Sequence, residues 1–189
     1  MAIFCDVNQR DFRAYNDNAV EASSTAIAAL NANWTQAQNA NFCLRFDLVK
    51  VAGSTWTSTN NVKFQYNLAG AGWNDITNAS LVVRLATSAF IPDETATTQR
   101  DSSPDTFLAG NILTTSATTT ATIGASGATT EAGLIGVIRS ADTTPGQTLQ
   151  VRAVNQAGTV CATYTNTPTI TVAAAATPPF VPGFAAWFF

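Results

Sequence analysis

The chain contains no histidine. That removes the commonest general base, the usual partner of a nucleophilic serine or cysteine, and the commonest metal ligand. Charge is also scarce. Asp, Glu, Lys and Arg make up 11% of the 189 residues, against roughly 25% in an average soluble domain. Thr, Ser, Asn, Gln and Ala stand in their place. A surface of that kind has few charges to desolvate when interfaces form, which suits a protein that works inside a large assembly. No apolar run reaches the roughly 18 residues that a transmembrane helix needs. Met1-Ala2-Ile3-Phe4-Cys5-Asp6 lacks the basic and apolar regions of a secretory signal, so the expectation is folding in a cytosol without membrane contact. The basic residues are scattered and the net charge is −3. No patch for a phosphate backbone forms, and nucleic acid is not expected as a direct partner.

Cys5, Cys43 and Cys161 form no CxxC pair, which argues against a zinc framework. Free thiols are the first expectation for them and one disulfide the alternative. No GxxxxGK[ST], GxGxxG or DxDxDG loop occurs. Glycosidase-type chemistry needs only two carboxylates, and Asp93, Glu94, Asp101, Asp105, Glu131 and Asp142 are the candidates. All of them fall in apparent loops or at strand ends, where acids are normally solvated. The same acids, with Asn and Thr carbonyls, are the raw material of a calcium site. The expectation is no catalytic residue, no metal and no cofactor.

What the chain does have is β texture. Phe42, Leu44, Phe46 and Leu48 alternate with Arg45 and Asp47, a period of two that predicts a half-buried strand. Val62, Phe64, Tyr66 and Leu68 repeat the pattern, Ala69–Gly72 turns, and Trp73 with Ile76 opens a return strand. Further strands are expected at 81–86, 106–108, 118–123, 134–138, 149–154, 160–165 and 169–172, with Gly136 marking a bulge or a close approach. Asp142-Thr143-Thr144-Pro145-Gly146 and Asn155-Gln156-Ala157-Gly158 are turns. Residues 20–30 read as helix or extended edge strand, and strand is preferred. The rhythm of turns predicts an all-β, antiparallel β-sandwich, immunoglobulin/fibronectin-like or jelly-roll-like, with extended terminal arms. Residues 1–40 would be an N-terminal arm with the first edge strands, 41–172 the sandwich, and 173–189 a C-terminal arm.

That last segment differs from the rest. Pro178, Pro179 and Pro182 stiffen it, and Phe180, Val181, Phe184, Trp187, Phe188 and Phe189 make it strongly apolar. Stiffness lowers the ordering cost of docking, and each buried aromatic would contribute about 1.5–3 kcal/mol. The expectation is an arm that inserts into a neighbouring subunit; the alternative is that it folds back over its own sandwich. The four tryptophans, Trp34, Trp56, Trp73 and Trp187, also invite a glycan-binding reading, because sugar faces stack on aromatic rings. Trp56, in the loop expected at 53–59, is the best candidate for it, and core or interface packing is the ordinary role of all four.

Leu149-Gln150-Val151-Arg152-Ala153-Val154-Asn155-Gln156-Ala157-Gly158 resembles the late strand and turn of fibronectin type III and immunoglobulin-like sandwiches. The series Phe12 to Asp17, Asn41 to Phe46, Phe64 to Asn67, Gly72 to Ile76, Ala96 to Gln99, Thr106 to Gly110 and Thr163 to Val172 looks like a group of β-sandwich proteins encoded among phage structural genes. The resemblance spans most of the chain except the aromatic tail, and it implies a place in a virion, not an enzymatic activity. The expectation is a capsid decoration (cement) protein whose partners are the major capsid protein and sister copies, with a homotrimer as the suggested state. A tail-fibre or surface adhesin binding host glycans through Trp56 is the alternative, and a polysaccharide hydrolase a third reading.

Overall fold

The structure is a computed structural model, which describes residues 7–51, 59–101, 105–116, 119–122 and 128–176. Thirteen strands build two packed sheets. They are β1 (Val7–Asn16), β2 (Trp34–Ala37), β3 (Asn41–Lys50), β4 (Thr59–Leu68), β5 (Trp73–Asp75), β6 (Val83–Leu85) and β7 (Thr95–Ala96), followed by β8 (Thr106–Leu113), β9 (Thr119–Thr122), β10 (Ala128–Ile138), β11 (Thr148–Asn155), β12 (Thr163–Tyr164) and β13 (Thr169–Ala173). Sheet A runs β12-β1-β3-β10-β8-β7, with β6 following β8 along the same side of β10. Sheet B runs β2-β13-β11-β4-β5, with β9 beside the first half of β4.

The all-β expectation holds, with one refinement: the sheets are mixed. β1–β12, β8–β10 and β2–β13 are parallel pairs. For β8 and β10 the cause is in the chain path, since it leaves sheet A after β8, adds β9 to sheet B, and re-enters sheet A in the same direction. A parallel pair needs such a crossover; a tight hairpin cannot make one.

The core lies between the sheets. Phe12, Phe42, Leu44, Phe46, Leu48 and Leu134 from sheet A meet Val62, Phe64, Tyr66, Leu149, Val151 and Ile170 from sheet B. Phe46 stacks on Phe64 at 5.5 Å, and Trp34 meets Phe42 edge-on at 5.9 Å, so both aromatic pairs bridge the two layers. Gly136 is a close approach, as one of the sequence readings had it: a Cβ there would stand 2.8 Å from Phe42 Cζ. β1 switches inward residues from Val7 and Gln9 to Phe12 and Ala14, because a bulge between Gln9 and Asp11 shifts its register on β3. Gln9, fully buried, then links the sheets: its Nε2 donates to Asn166 O (2.8 Å) and its Oε1 accepts from Ala153 N (2.8 Å).

Three expectations change. Residues 17–33 form neither helix nor strand but a chain of turns with one bridge, Ala26 to Tyr15. Its small residues have no apolar periodicity to bury, and its Asn, Ser and Thr side chains bond to nearby backbone instead, as Ser24 does to Val20 O and Glu21 O. The strand expected at 134–138 begins at 128, and the one at 106–108 runs to 113. The strand expected at 160–165 shrinks to β12, with a single bridge from Val160 to Val154.

The largest departure concerns the outer face of sheet A. β3 and β10 are buried on both faces. Residues 17–25, 86–94 and 98–101 lie across that face as a third layer, seated on a second apolar cluster of Tyr15, Cys43, Ile91, Ile112 and Ile135. The strand read as half-buried is therefore an interior one.

Candidate functional site

Beneath that third layer lies the densest polar assembly among the described residues. Its centre is Arg45 on β3, whose side chain is 1% exposed. Gly133, the β10 partner of Arg45, makes room for it, since a Cβ at 133 would stand 3.3 Å from Arg45 Cγ and 2.7 Å from Leu44 O. The guanidinium donates to Glu131 of β10, to Glu21 of the 17–25 segment, and to Thr98 O at 2.5 Å. Asp101 completes the ring at 3.8 Å from Nε. Glu131 Oε1 also accepts from the backbone N–H groups of Arg100 and Asp101, both at 2.8 Å. Glu21 accepts from Thr98 N at 3.0 Å and from the Thr98 hydroxyl.

Tyr15, from β1, donates to Asp101 at 2.5 Å and is flanked by three guanidinium groups, with Arg100 nearest at 4.1 Å from the ring centre. Arg100 bonds to Glu21 O and Ser24 O, so it ties the two covering segments to each other. Burial works against the charge on Arg45, but Glu131 and Glu21 outweigh it and hold the guanidinium above its ordinary value. Burial raises Asp101, as does the neighbouring charge of Glu131, while Tyr15 and Arg45 oppose the rise. Tyr15 is raised by burial and by its bond to Asp101.

A second buried carboxylate lies two residues along β3. Asp47 accepts from the Thr129 hydroxyl and from Arg10 Nε at 2.7 Å, and Arg10 Nη1 reaches Asp105 at 2.7 Å. Arg10 stands there because the β1 bulge turns it toward Asp47. Burial pushes Asp47 up to about 6 despite these partners.

Chemically the arrangement can act as a fastening: its carboxylates face cations and hydrogen-bond donors, and Glu21, Arg45, Asp47, Asp101 and Glu131 are buried. Asp101 and Glu131, read from sequence as solvated acids of loops or strand ends, are instead buried; Glu131 is central in an eleven-residue strand. The other four acids are as placed, near the surface. Asp93 accepts from the backbone N–H groups of Thr114, Thr115 and Ser116 and from the hydroxyls of Thr115 and Ser116; burial is the largest single influence and raises it, but the bonds together outweigh burial and hold it well below the usual carboxylate range. Glu94 is exposed at a turn with φ 58°, Asp105 pairs with Arg10, and Asp142 lies 3.5 Å from Arg139. No three His, Cys, Asp or Glu side chains are arranged for a metal ion among the described residues.

Cys43 and Cys161 are buried free thiols, and burial pushes Cys43 up to about 12. Trp34 is in the core. Trp73 lies half-buried on the outer face of sheet B, with the Arg152 guanidinium 4.0 Å from its ring centre. Trp56, Cys5 and the docking residues Pro178, Pro179, Phe180, Val181, Pro182, Phe184, Trp187, Phe188 and Phe189 lie outside the described residues. The signal for the buried cluster was one charge, Glu131, amid β-prone Thr and small residues. Glycine two positions later is what a large side chain on the neighbouring strand requires.

Comparisons of the chain with protein families, with curated proteins and with solved structures find no match. The class is therefore defined by architecture alone: a mixed β-sandwich with a loop layer fastened over one sheet by buried ion pairs.

Proposed function

We propose that this chain is a non-catalytic structural component of a phage virion, most specifically a capsid decoration protein that clamps neighbouring shell subunits. The observation that carries this reading is where the charge goes. Of the described charged residues only Asp75 and Glu94 are exposed; the others are partly or fully buried, many in ion pairs. Most of the remaining exposed residues are Thr, Asn, Ser, Ala and Gln, with single apolar side chains such as Val20, Leu81 and Phe90 among them, so a neighbour can cover this surface while stranding few charges. The Pro- and aromatic-rich residues 178–189 supply the apolar anchor such docking needs. Its partners in this reading are the major capsid protein and sister copies, with a trimer as the working state.

The test is a particle-binding assay with full-length protein and a form lacking residues 178–189. The expected result is an unchanged melting temperature for the free truncated protein, with loss of particle attachment and of the heat tolerance it confers. Equal attachment of both forms would remove the arm from the mechanism. Failure of the full-length protein to bind any shell would remove the capsid reading itself.

A further inference from the structure

The outer face of sheet B carries a second arrangement, separate from the buried cluster. Cross-strand pairing aligns Trp73 of β5, Asn67 of β4, Gln150 of β11 and Thr169 of β13 in one row. Three strand spacings make this row about 14 Å long. Beside it runs a second row, Asp75, Gln65 and Arg152. A depression of about 140 Å³ opens at Asn67, Gln150 and Thr169 of the first row, lined also by Ala69, Gly70 and Thr148; Trp73, next to Asn67 in the row, stands beside it and not in its lining. Its polar lining is amide and hydroxyl, with no charged group.

Three features point to a ligand. First, the exposed Gln150 amide and Thr148 hydroxyl and the half-buried Thr169 hydroxyl make no hydrogen bond to another described residue, so all three are open to a ligand. Second, the Trp73 ring is held in place: Arg152 packs on it at 4.0 Å and is itself fixed by two bonds to Gln65 Oε1, at 2.8 and 3.1 Å. One ring face is thus taken by Arg152, and the residue as a whole stays partly exposed. Third, charge is kept out of the depression: Lys63 Nζ sits on Asp75 at 2.6 Å with Gln65 donating to the same carboxylate at 2.8 Å, and Arg152, which has no carboxylate partner among the described residues, lies on the Trp73 ring and Gln65 and not in the lining.

We infer that this face binds a neutral polysaccharide laid across the strands. The axial C–H groups of a pyranose carry partial positive charge and meet the negative face of the Trp73 ring. Its hydroxyls, each both donor and acceptor, match amides and hydroxyls better than they match fixed charges. A fixed aromatic beside a few convergent polar groups is the usual make-up of a small-ligand site. The inference does not depend on the capsid reading, because it uses neither residues 178–189 nor Trp56.

The test is retardation of the purified full-length protein in native gels containing neutral polysaccharides (a glucan, a mannan, a galactan), followed by titration of tryptophan fluorescence with the matching oligosaccharide. Retardation by at least one neutral polymer is expected. Trp73→Ala should weaken binding about tenfold or more, Trp73→Phe should retain part of it, and Gln150→Ala should weaken it with an unchanged melting temperature. If Trp73→Ala does not fold, Trp73→Phe and Gln150→Ala decide. No retention by any neutral polymer, unchanged binding in Gln150→Ala and Trp73→Phe alike, or binding only to acidic polymers that salt abolishes would overturn it. Capsid attachment, measured on the same variants, is expected to stay intact.

Discussion

Arg45 holds a full charge where water does not reach it, and three carboxylates are arranged around that charge. Removing it leaves those acids buried without their cation. Arg45→Met, which keeps the bulk, is therefore expected to cost about 3–5 kcal/mol, read as a fall in the urea midpoint at neutral pH. A loss below about 1 kcal/mol would mean the third layer is held by its apolar seat alone. Asp47 provides the pH test. Its folded value is raised to about 6, above that of the unfolded chain, so its contribution to stability is fully present below the unfolded value and is lost as pH rises through about 6. Asp47→Asn removes this dependence. The variant should gain on the wild type between about pH 4 and pH 7, and a constant difference across that range would refute the assignment.

At the scale of elements, turns and strand faces are governed by different ranges of interaction. The β4–β5 turn was legible, because Ala69-Gly70 follows an alternating strand. Its geometry is that of a type I′ turn, with φ 48° at Ala69 and 80° at Gly70 and a bond from Ala71 N to Leu68 O at 2.9 Å. Ala is strained there, and Asn tolerates that region. Ala69→Asn is expected to raise stability by about 1 kcal/mol, measurable as a higher melting temperature. The period-two strands read at 42–51, 62–68 and 149–154 were readable for the same reason: the pattern is local. What covers the second face of β3 was not readable, because Glu21 and Asp101 come from segments 24 and 56 residues away in sequence that have no regular pattern of their own. The 134–138 strand was cut short because Thr and small residues around Glu131 give no alternation, although both β10 neighbours supply partners for them.

For the whole molecule, the inward placement of charge makes a further measurable statement. Surface electrostatics contribute little when most charges are at least partly buried, many of them in pairs. Raising ionic strength from about 0.01 to about 0.15 M shortens the screening length from about 30 to about 8 Å. The melting temperature should move by no more than about 2 °C over that range, equivalent to less than about 1 kcal/mol for a chain of this size. A larger fall would place the important charges at the surface.

From the sequence by itself came the all-β class, the low-charge surface composition, the turns, and the inward residues of the main strands. Each depends on composition or on a two-residue period, quantities that neighbours along the chain carry. Only the tertiary structure decided that Arg45, Asp47, Asp101 and Glu131 are interior, that the sheets contain parallel pairs, and that Trp73, Asn67, Gln150 and Thr169 share one row. Those facts are set by which distant strands lie side by side, and pairing energy depends on the partner across the ladder, not on the residue next in line.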